Sequence, residues 1–410
     1  MILKGDCLDT LKTLPDCSID SIVTDPPYEY GFMGKSWDAS GIAYNAEMWR
    51  ECLRVLKPGG HLLAFSGSRT YHRMTVAIED AGFEIRDQIM WLYGSGFPKS
   101  LDVSKAIDKA AGAKREVVGS SDNGIAGGTG KHAGQEKSYR FAGEFDITAP
   151  ATDEAKKWQG WGTALKPAHE PICVARKPLT GTVASNVLEW GTGALNIDGS
   201  RVGEADGFGG GAKGTSGFAT GYESDGFVAS TQGRWPANVI HDGSDEVLAG
   251  FPNSKGGHWP QTKTTGFGDF GGGSSEYFGD GPKDTIDGSA ARFFYCAKAS
   301  KSERNAGLEG FEPRKSDTRS DTAAGLWAQM EAPKANFHPT VKPIALMRYL
   351  VKLVTPPGGT VLDPFLGSGS TAVAAILEGF EWVGCEMTED YWPIIEARVQ
   401  WAERQPKTLL

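Results

Sequence analysis

Thr24-Asp25-Pro26-Pro27-Tyr28 brings together residue types that could make a poor nucleophile react. The exocyclic amino group of a nucleobase has its lone pair conjugated into the ring. A carboxylate and a backbone carbonyl that accept its two N–H hydrogens would pull the nitrogen toward tetrahedral geometry and free that lone pair. Asp25 can supply the carboxylate, Pro26 the carbonyl with φ set by its ring, and Tyr28 a flat face for a base to stack on. The same five residues also make an ordinary strand-ending turn. The weight therefore rests on what else the chain carries.

Residues 360–386 carry a second constellation. Thr360-Val361-Leu362-Asp363 reads as a strand and Pro364 to Ser370 as a glycine turn. Thr371 to Glu378 reads as a helix, and Trp382 to Glu386 as a second strand ending in an acid. That is a dinucleotide-type binding unit, in which glycines let the backbone approach a ligand. Glu386 follows the turn by about 20 residues, where an acid can hold two ribose hydroxyls. Asp363 at the strand end would repel a pyrophosphate but suits a cationic ammonium group. The logic points to S-adenosylmethionine rather than a nicotinamide nucleotide.

Both constellations need strands to carry them. Ile19 to Thr24 reads as a buried strand ending at Asp25, and ligands in α/β sheets bind at the carboxyl ends of strands. Around it, residues 1–93 alternate strand and helix: strand 2–7, helix 8–14, helix 45–56, strand 61–65, helix 70–81 and strand 83–93. Lys57-Pro58-Gly59-Gly60 reads as a helix terminator. Residues 94–165 carry one helical piece near 101–111, and Glu170 to Arg176 is one more strand. From Gly203 to Gly288 the chain is Gly-rich with interleaved aromatics, a composition that builds long loops rather than a core. Arg234 to Ile240 stands out within it as an ordered island. Regular structure resumes at 291–298, with helices at 344–354 and 391–403.

Composition bounds the rest. The 410 residues are 40% hydrophobic and 23% charged, with net charge −9, which describes a folded soluble protein rather than a polyanion coat. Residues 291–355 run against that balance, with 11 Lys/Arg and 6 Asp/Glu. The six cysteines stand at 7, 17, 52, 173, 296 and 385. None has the spacing of a zinc site or disulfide framework, and no metal is expected. No leader pattern and no membrane-length apolar run is seen, so a cytoplasmic protein is expected.

Asp-Pro-Pro-Tyr early, His338-Pro-Thr-Val-Lys-Pro343 late and then Asp363-Pro-Phe-Leu-Gly-Ser-Gly369 resemble, in this order, the beta group of DNA amino-methyltransferases, which modify adenine N6 or cytosine N4. The resemblance covers about residues 1–93, 166–178 and 290–400. It implies an α/β fold: a doubly wound, mostly parallel, seven-stranded methyltransferase sheet, circularly permuted so that the cofactor-binding strands come last. Residues 1–93 would be the catalytic half, 94–165 an insertion and 166–178 an edge strand paired with 83–93. A target-recognition region would occupy 179–290, and 291–404 the cofactor-binding half. The resemblance further implies that Asp25, Pro26, Pro27 and Tyr28 form the target-base pocket. Asp363, Phe365, Gly367 and Gly369 would line the amino-acid end of S-adenosylmethionine, and Glu386 its ribose. Asp6 and Cys7 would flank its adenine, and His338, Thr340 and Lys342 would hold its carboxylate.

Methylation of a ring carbon would need a cysteine nucleophile, which usually follows a proline in such enzymes, and none of the six does here. The amino-group route needs positioning and hydrogen bonds instead, with the base flipped out of the duplex. Asp at the first motif position favours adenine within the family; cytosine-N4 enzymes more often carry Ser. RNA is the alternative nucleic acid, and protein-glutamine methylation is disfavoured because those enzymes generally carry Asn at that position. An oxidoreductase leaves Asp25 to Tyr28 unexplained. A DNA-binding module without activity would need a damaged motif. Arg69, Arg73, Lys298, Lys301 and Arg304 are candidate phosphate contacts. The expected partner is double-stranded DNA, with a homodimer and a cognate restriction nuclease compatible with the resemblance, in a bacterial or phage-encoded protein.

Overall fold

The central strands of the main sheet bury both faces, as parallel strands covered by helices must. The computed structural model describes residues 1–30, 36–94, 96, 100–121, 145–203, 233–254, 288–297, 301–314 and 335–406. Its N-terminal part runs β1 (Ile2–Lys4), α1 (Cys7–Leu11), β2 (Ile19–Thr24), α2 (Ala46–Val55), β3 (Leu56–Phe65), α3 (Tyr71–Asp80) and β4 (Glu84–Leu92). Next come α4 (Val103–Ala110), β5 (Glu116–Ser121), β6 (Phe145–Ala149), α5 (Asp153–Lys157), β7 (His169–Arg176) and α6 (Val183–Trp190). Short elements follow: β8 (Val239–His241), α7 (Asp245–Gly250), β9 (Asn253–Ser254), β10 (Gly288–Ser289), β11 (Tyr295–Cys296) and α8 (Lys301–Arg304). The chain closes with α9 (Ile344–Val354), β12 (Thr360–Asp363), α10 (Ser370–Leu377), β13 (Glu381–Glu386) and α11 (Trp392–Glu403).

The strand order is β1-β13-β12-β2-β3-β7-β4-β8-β11. The last two long strands of the chain thus sit between its first two. Pairing is parallel from β1 through β3. β7 runs antiparallel to β3, with Phe65 opposite Ile172. The expected sheet has seven strands, and this one has nine. β8 joins outside β4, where Met90 N–H donates to the Asn238 carbonyl at 2.9 Å, and β11 pairs parallel to β8. The pair of strands near 83–93 and 170–176 is therefore not the sheet edge. Elements of two and three residues carry no periodicity, so their recruitment could not be read in advance.

Side-chain alternation assigns the two faces. Ile22, Leu62, Ala64, Leu362 and Cys385 pack with Leu11 of α1, Met48 and Trp49 of α2, and Met74 and Ile78 of α3. Ser21, one residue along β2, turns the other way and hydrogen-bonds Thr355 just after α9 at 2.8 Å. Ile344 of α9, Val373 and Ile376 of α10 and Ala402 of α11 make a separate apolar cluster. Asp20 locks three strands: it accepts from Lys57 Nζ at 2.6 Å and from the Thr360 N–H at 2.8 Å. The helix α2 stops at Val55, as the Lys57–Gly60 terminator requires, but those residues belong to β3, which begins at Leu56 rather than at the expected His61. Gly60 packs so tightly there that a Cβ would lie 2.7 Å from Leu56 Cγ.

Two compact units partition the chain. One comprises Met1–Trp91, Glu170–Asp242 and Phe251–Leu410, and holds the motif residues. The other comprises Leu92–His169 and Gly243–Gly250. Within the second, Asp108 accepts from Arg115, from the Thr152 hydroxyl and from the N–H groups of Ala151 and Thr152. These bonds tie α4 to the β5–β6 hairpin and to the start of α5. The Gly-rich stretch of 203–288 lies largely outside the described residues. No helix among the described residues is long and apolar enough to cross a membrane.

Candidate active site

Four strand ends meet at one edge of the sheet. Asp25 follows β2, Asp363 ends β12, Glu386 ends β13, and Ser66-Gly67 follow β3. Because β7 is antiparallel, its beginning lies at this same edge, where the Ser66 N–H donates to the Pro171 carbonyl at 3.0 Å. That brings in Glu170, a residue not anticipated from sequence. Its signal was available only in combination: an acid opening a strand that had to pair antiparallel.

Asp25, Tyr28, Glu170 and Lys342 form one ionic cluster. Lys342 Nζ lies 2.7 Å from Asp25 Oδ2, 3.1 Å from Tyr28 Oη and 3.3 Å from Glu170 Oε2. Tyr28 Oη donates to Glu170 Oε2 at 2.8 Å. The ammonium also sits 4.9 Å from the centre of the Phe65 ring and 5.2 Å from that of Tyr28, a distance at which aromatic faces attract cations. Lys342, expected beside the cofactor's carboxylate, is thus held at the Asp-Pro-Pro-Tyr motif. Asp25 Oδ1 is buried and has no hydrogen-bond partner among the described residues. Burial pushes the Asp25 carboxyl above its ordinary range, and Lys342 offsets this only in part. Burial alone would lower Lys342, but facing Asp25 and Glu170 it is held above the usual lysine value.

The chain leaving the motif is shaped with unusual care. Glu29 adopts a left-handed φ of 57°, and its carboxylate accepts the Gly41 N–H at 2.8 Å. Tyr30 then stands edge-on to Tyr28, with ring centres 6.1 Å apart. Its hydroxyl accepts the Arg69 N–H at 3.1 Å, and the Arg69 guanidinium lies 4.4 Å over its ring. Gly67 is required for this approach, since a Cβ there would fall 2.1 Å from Tyr30 Oη. Arg73 lies 5.6 Å from the ring centre of Tyr44.

The glycine turn is built around Asp363. Thr24 Oγ1 donates to Asp363 Oδ1 and Thr371 Oγ1 to Oδ2, both at 2.6 Å, and the Phe365 N–H donates to Oδ1 at 3.0 Å. Burial pushes this carboxyl up to about 6 despite those donors. Gly367 and Gly369 have φ of 54° and 80°, values that glycine adopts without steric cost. A Cβ at Gly367 would lie 2.9 Å from His338 Nε2. Glu386 accepts the Gly367 N–H at 2.8 Å and the Thr388 N–H at 2.7 Å, and burial raises its carboxyl.

The remaining expected residues divide. His338 packs edge-on to Tyr391 at 4.6 Å, and burial lowers its imidazole to about 3, so it is neutral. Its Nδ1 accepts the N–H of Thr340, which is exposed. Asp6 caps α1 by accepting the Leu8 N–H at 2.8 Å. Cys7 is buried in the core, its thiol pushed up to about 12. Arg304, a candidate phosphate contact, donates from its guanidinium to the carbonyls of His338 at 2.8 Å and Asn336 at 3.4 Å, shaping the segment before α9. Lys298 lies outside the described residues, and Lys301 opens α8. No group of three or more His, Cys, Asp or Glu side chains suited to a metal is found among the described residues.

Fold and site together define an α/β protein that receives a ligand across the carboxyl ends of parallel strands. The family model for N6/N4 methyltransferases, described as DNA methylase, matches residues 19–397, and the chain belongs to that family. The type II methyltransferase M.HinfI of Haemophilus influenzae is 31% identical over 109 residues, which is 22% of this chain and 30% of that protein. The putative methylase YubD of Escherichia coli K12 is 48% identical over 54 residues, 13% of this chain and 24% of that one. The chain therefore matches less than a third of the length of these curated relatives. Among solved structures, the M1.HpyAVI–SAM complex aligns over 97% of this chain and 98% of its own, with 14% identity and a TM-score of 0.38. The cytosine-N4-specific PvuII DNA methyltransferase covers 97% and 85%, with 13% identity and a TM-score of 0.43. Nothing about the site follows from superpositions that loose.

Proposed function

We propose that this chain transfers the methyl group of S-adenosylmethionine to the exocyclic amino group of a base flipped out of double-stranded DNA, and that the base is adenine, modified at N6. The observation that carries the reading is Asp25 Oδ1, a buried carboxylate oxygen without a partner, at a strand end beside the Asp363–Gly369 turn. Such an oxygen is costly to leave unmade, and an amino N–H satisfies it. The Pro26 carbonyl would take the second N–H, and the Tyr28 ring would stack on the base. Flanking N–H acceptors draw electron density onto the nitrogen as it attacks.

The residues of the turn fit the cofactor. Each Glu386 oxygen accepts one backbone N–H, which leaves lone pairs for ribose hydroxyls. Gly367 and Gly369 expose backbone where a side chain would intrude. When bound, S-adenosylmethionine supplies an electrophilic methyl on sulfonium, and no covalent enzyme intermediate is needed. The strand order supports reading the sheet as a circularly permuted one, with residues 1–93 as its catalytic half and 291–404 as its cofactor half. Residues 94–165 are an insertion under this reading, and 179–290 the target-recognition region. Arg69 and Arg73, on rings beside the motif, are the proposed phosphate contacts.

Tritiated methyl transfer to duplex DNA, followed by nucleoside analysis, tests the reading. Label recovered as N6-methyladenine is expected. Recovery as N4-methylcytosine would replace adenine by cytosine, and label in RNA or protein but not in DNA would overturn the function.

A further inference from the structure

Lys342 sits beside the place where the proposed amino group must go. Its ammonium is 2.7 Å from Asp25 Oδ2, so it already occupies one side of the carboxylate that is to grip the base. An amino group that binds the unpartnered Oδ1 draws on the same carboxylate charge that pairs with the ammonium. Lys342 is only 9% exposed, and a buried ammonium stripped of its counter-ion is strongly destabilising. A second anion within reach keeps it paired as the base engages Asp25.

Glu170 is that anion. Its Oε2 lies 3.3 Å from the same ammonium and accepts the Tyr28 hydroxyl at 2.8 Å. It comes from β7, 142 residues from Tyr28 in the chain, and owes its place to the antiparallel pairing with β3. We infer that Glu170 is a positioning residue of the base pocket: it orients the Tyr28 ring through its hydroxyl and shares Lys342 with Asp25, so that Asp25 Oδ1 stays open to the target amino group. With both carboxylates within reach, the ammonium remains paired throughout. Lys342 thereby holds Asp25 in place through Oδ2 until the base arrives at Oδ1. Glu170 itself never touches the reacting atoms. This inference rests on the reading of Asp25 as the carboxylate that receives the amino group.

A double-mutant cycle on the full chain, with no activity needed, tests the sharing of Lys342. Asp25→Asn leaves Lys342 with Glu170, and Glu170→Gln leaves it with Asp25, so each single variant retains one counter-ion. The double variant retains none. The expected result is a loss of thermal stability in the double variant that exceeds the sum of the single losses by about 2 °C or more. Additive losses would overturn the inference. Kinetics supply the second readout. Glu170→Gln is expected to lower kcat for DNA methylation about tenfold or more while the Kd for S-adenosylmethionine stays within about twofold, and Glu170→Asp is expected to recover part of kcat. An unchanged kcat, or a loss matched by an equal loss of cofactor affinity, would make Glu170 merely structural and overturn its role. Absence of transfer to DNA by the unaltered chain would instead overturn the function proposed above, and the cycle would still decide whether Glu170 is the second counter-ion.

Discussion

Two aspartates end or follow adjacent parallel strands, β2 and β12, and they are used in opposite ways. Asp363 is 3% exposed, and both its oxygens are engaged by Thr24, Thr371 and the Phe365 N–H. Asp25 has one oxygen held by the Lys342 ammonium and the other held by nothing among the described residues. A carboxylate held by three donors on both oxygens is fixed in place and serves structure first. An unsaturated one stores a demand that a ligand can meet. Asp363 thereby sets the shape of the glycine turn, beside the turn's backbone and Glu386. Asp25 is the residue equipped to meet one directly.

Removing each acid should break the comparison in different places. Asp25→Ala is expected to lower methyl transfer by about 10³-fold or more, with the Kd for S-adenosylmethionine unchanged within about twofold. Single-turnover kinetics and calorimetry would read the two quantities, and normal turnover in this variant would sink the assignment. Asp363→Ala leaves two hydroxyls and a backbone N–H without their acceptor. A stability loss of about 2–4 kcal/mol is expected in urea unfolding, together with weaker cofactor binding. Weaker binding with unchanged stability would mean that Asp363 contacts the cofactor after all.

The contrast was only half visible in sequence. Both strand ends were legible, because Ile22–Thr24 and Thr360–Leu362 are apolar or β-branched runs stopped by an acid and a turn, and their parallel pairing sets Leu362 opposite Ile22. What sequence could not supply was which neighbours would saturate each carboxylate. Thr24 reaches Asp363 across 339 residues and Lys342 reaches Asp25 across 317. Glu170 escaped notice because only the antiparallel run of β7 brings its first residues to the ligand edge. Other omissions had local signals. α6 is opened by a capping box of Thr182 and Ser185 and closed by Gly191 at φ 75°, yet it was lost against the Gly-rich composition that follows. The β5–β6 hairpin was hidden for a different reason: Val117, Val118 and Ile147 are half exposed, so the strands lack the alternation that burial imposes.

Acidity offers a finer test of the saturated site. In the unfolded chain Asp363 is protonated only below the ordinary 3.8, whereas in the folded chain burial keeps it protonated up to about 6. The folded state holds the extra proton between those values, so this group's contribution to stability declines as pH rises from about 4 to about 6. His338 acts in the opposite sense. Burial lowers it from 6.5 to about 3, so the unfolded chain holds the extra proton and stability rises with pH across that window. Asp363→Asn removes the first effect and leaves the second. Its stability should therefore gain more between pH 4 and pH 6 than that of the unaltered chain, in urea titrations at stepped pH. An identical pH profile would show that Asp363 stays ionised within its hydrogen-bond set.

The smallest expected effect lies at the rim of the unsaturated site. Arg69 is held in place by Tyr30 through its backbone N–H and its guanidinium, and Tyr30 in turn stands edge-on to Tyr28. A guanidinium stacked on an aromatic face keeps its in-plane N–H groups free to meet a phosphate. Contact with one phosphate contributes mainly through counter-ion release, so it carries a recognisable salt signature. Arg69→Ala should weaken DNA binding roughly uniformly across sequences and reduce the slope of log K against log salt by about 1. The Asp25 cluster is left intact, so single-turnover methylation at saturating DNA should hardly change. A slope that stays the same would assign Arg69 to supporting Tyr30 alone. A fall in the saturating rate would mean that the Tyr30 stack transmits position to Tyr28, extending the pocket's supporting shell from Glu170 on β7 to the loop after β3.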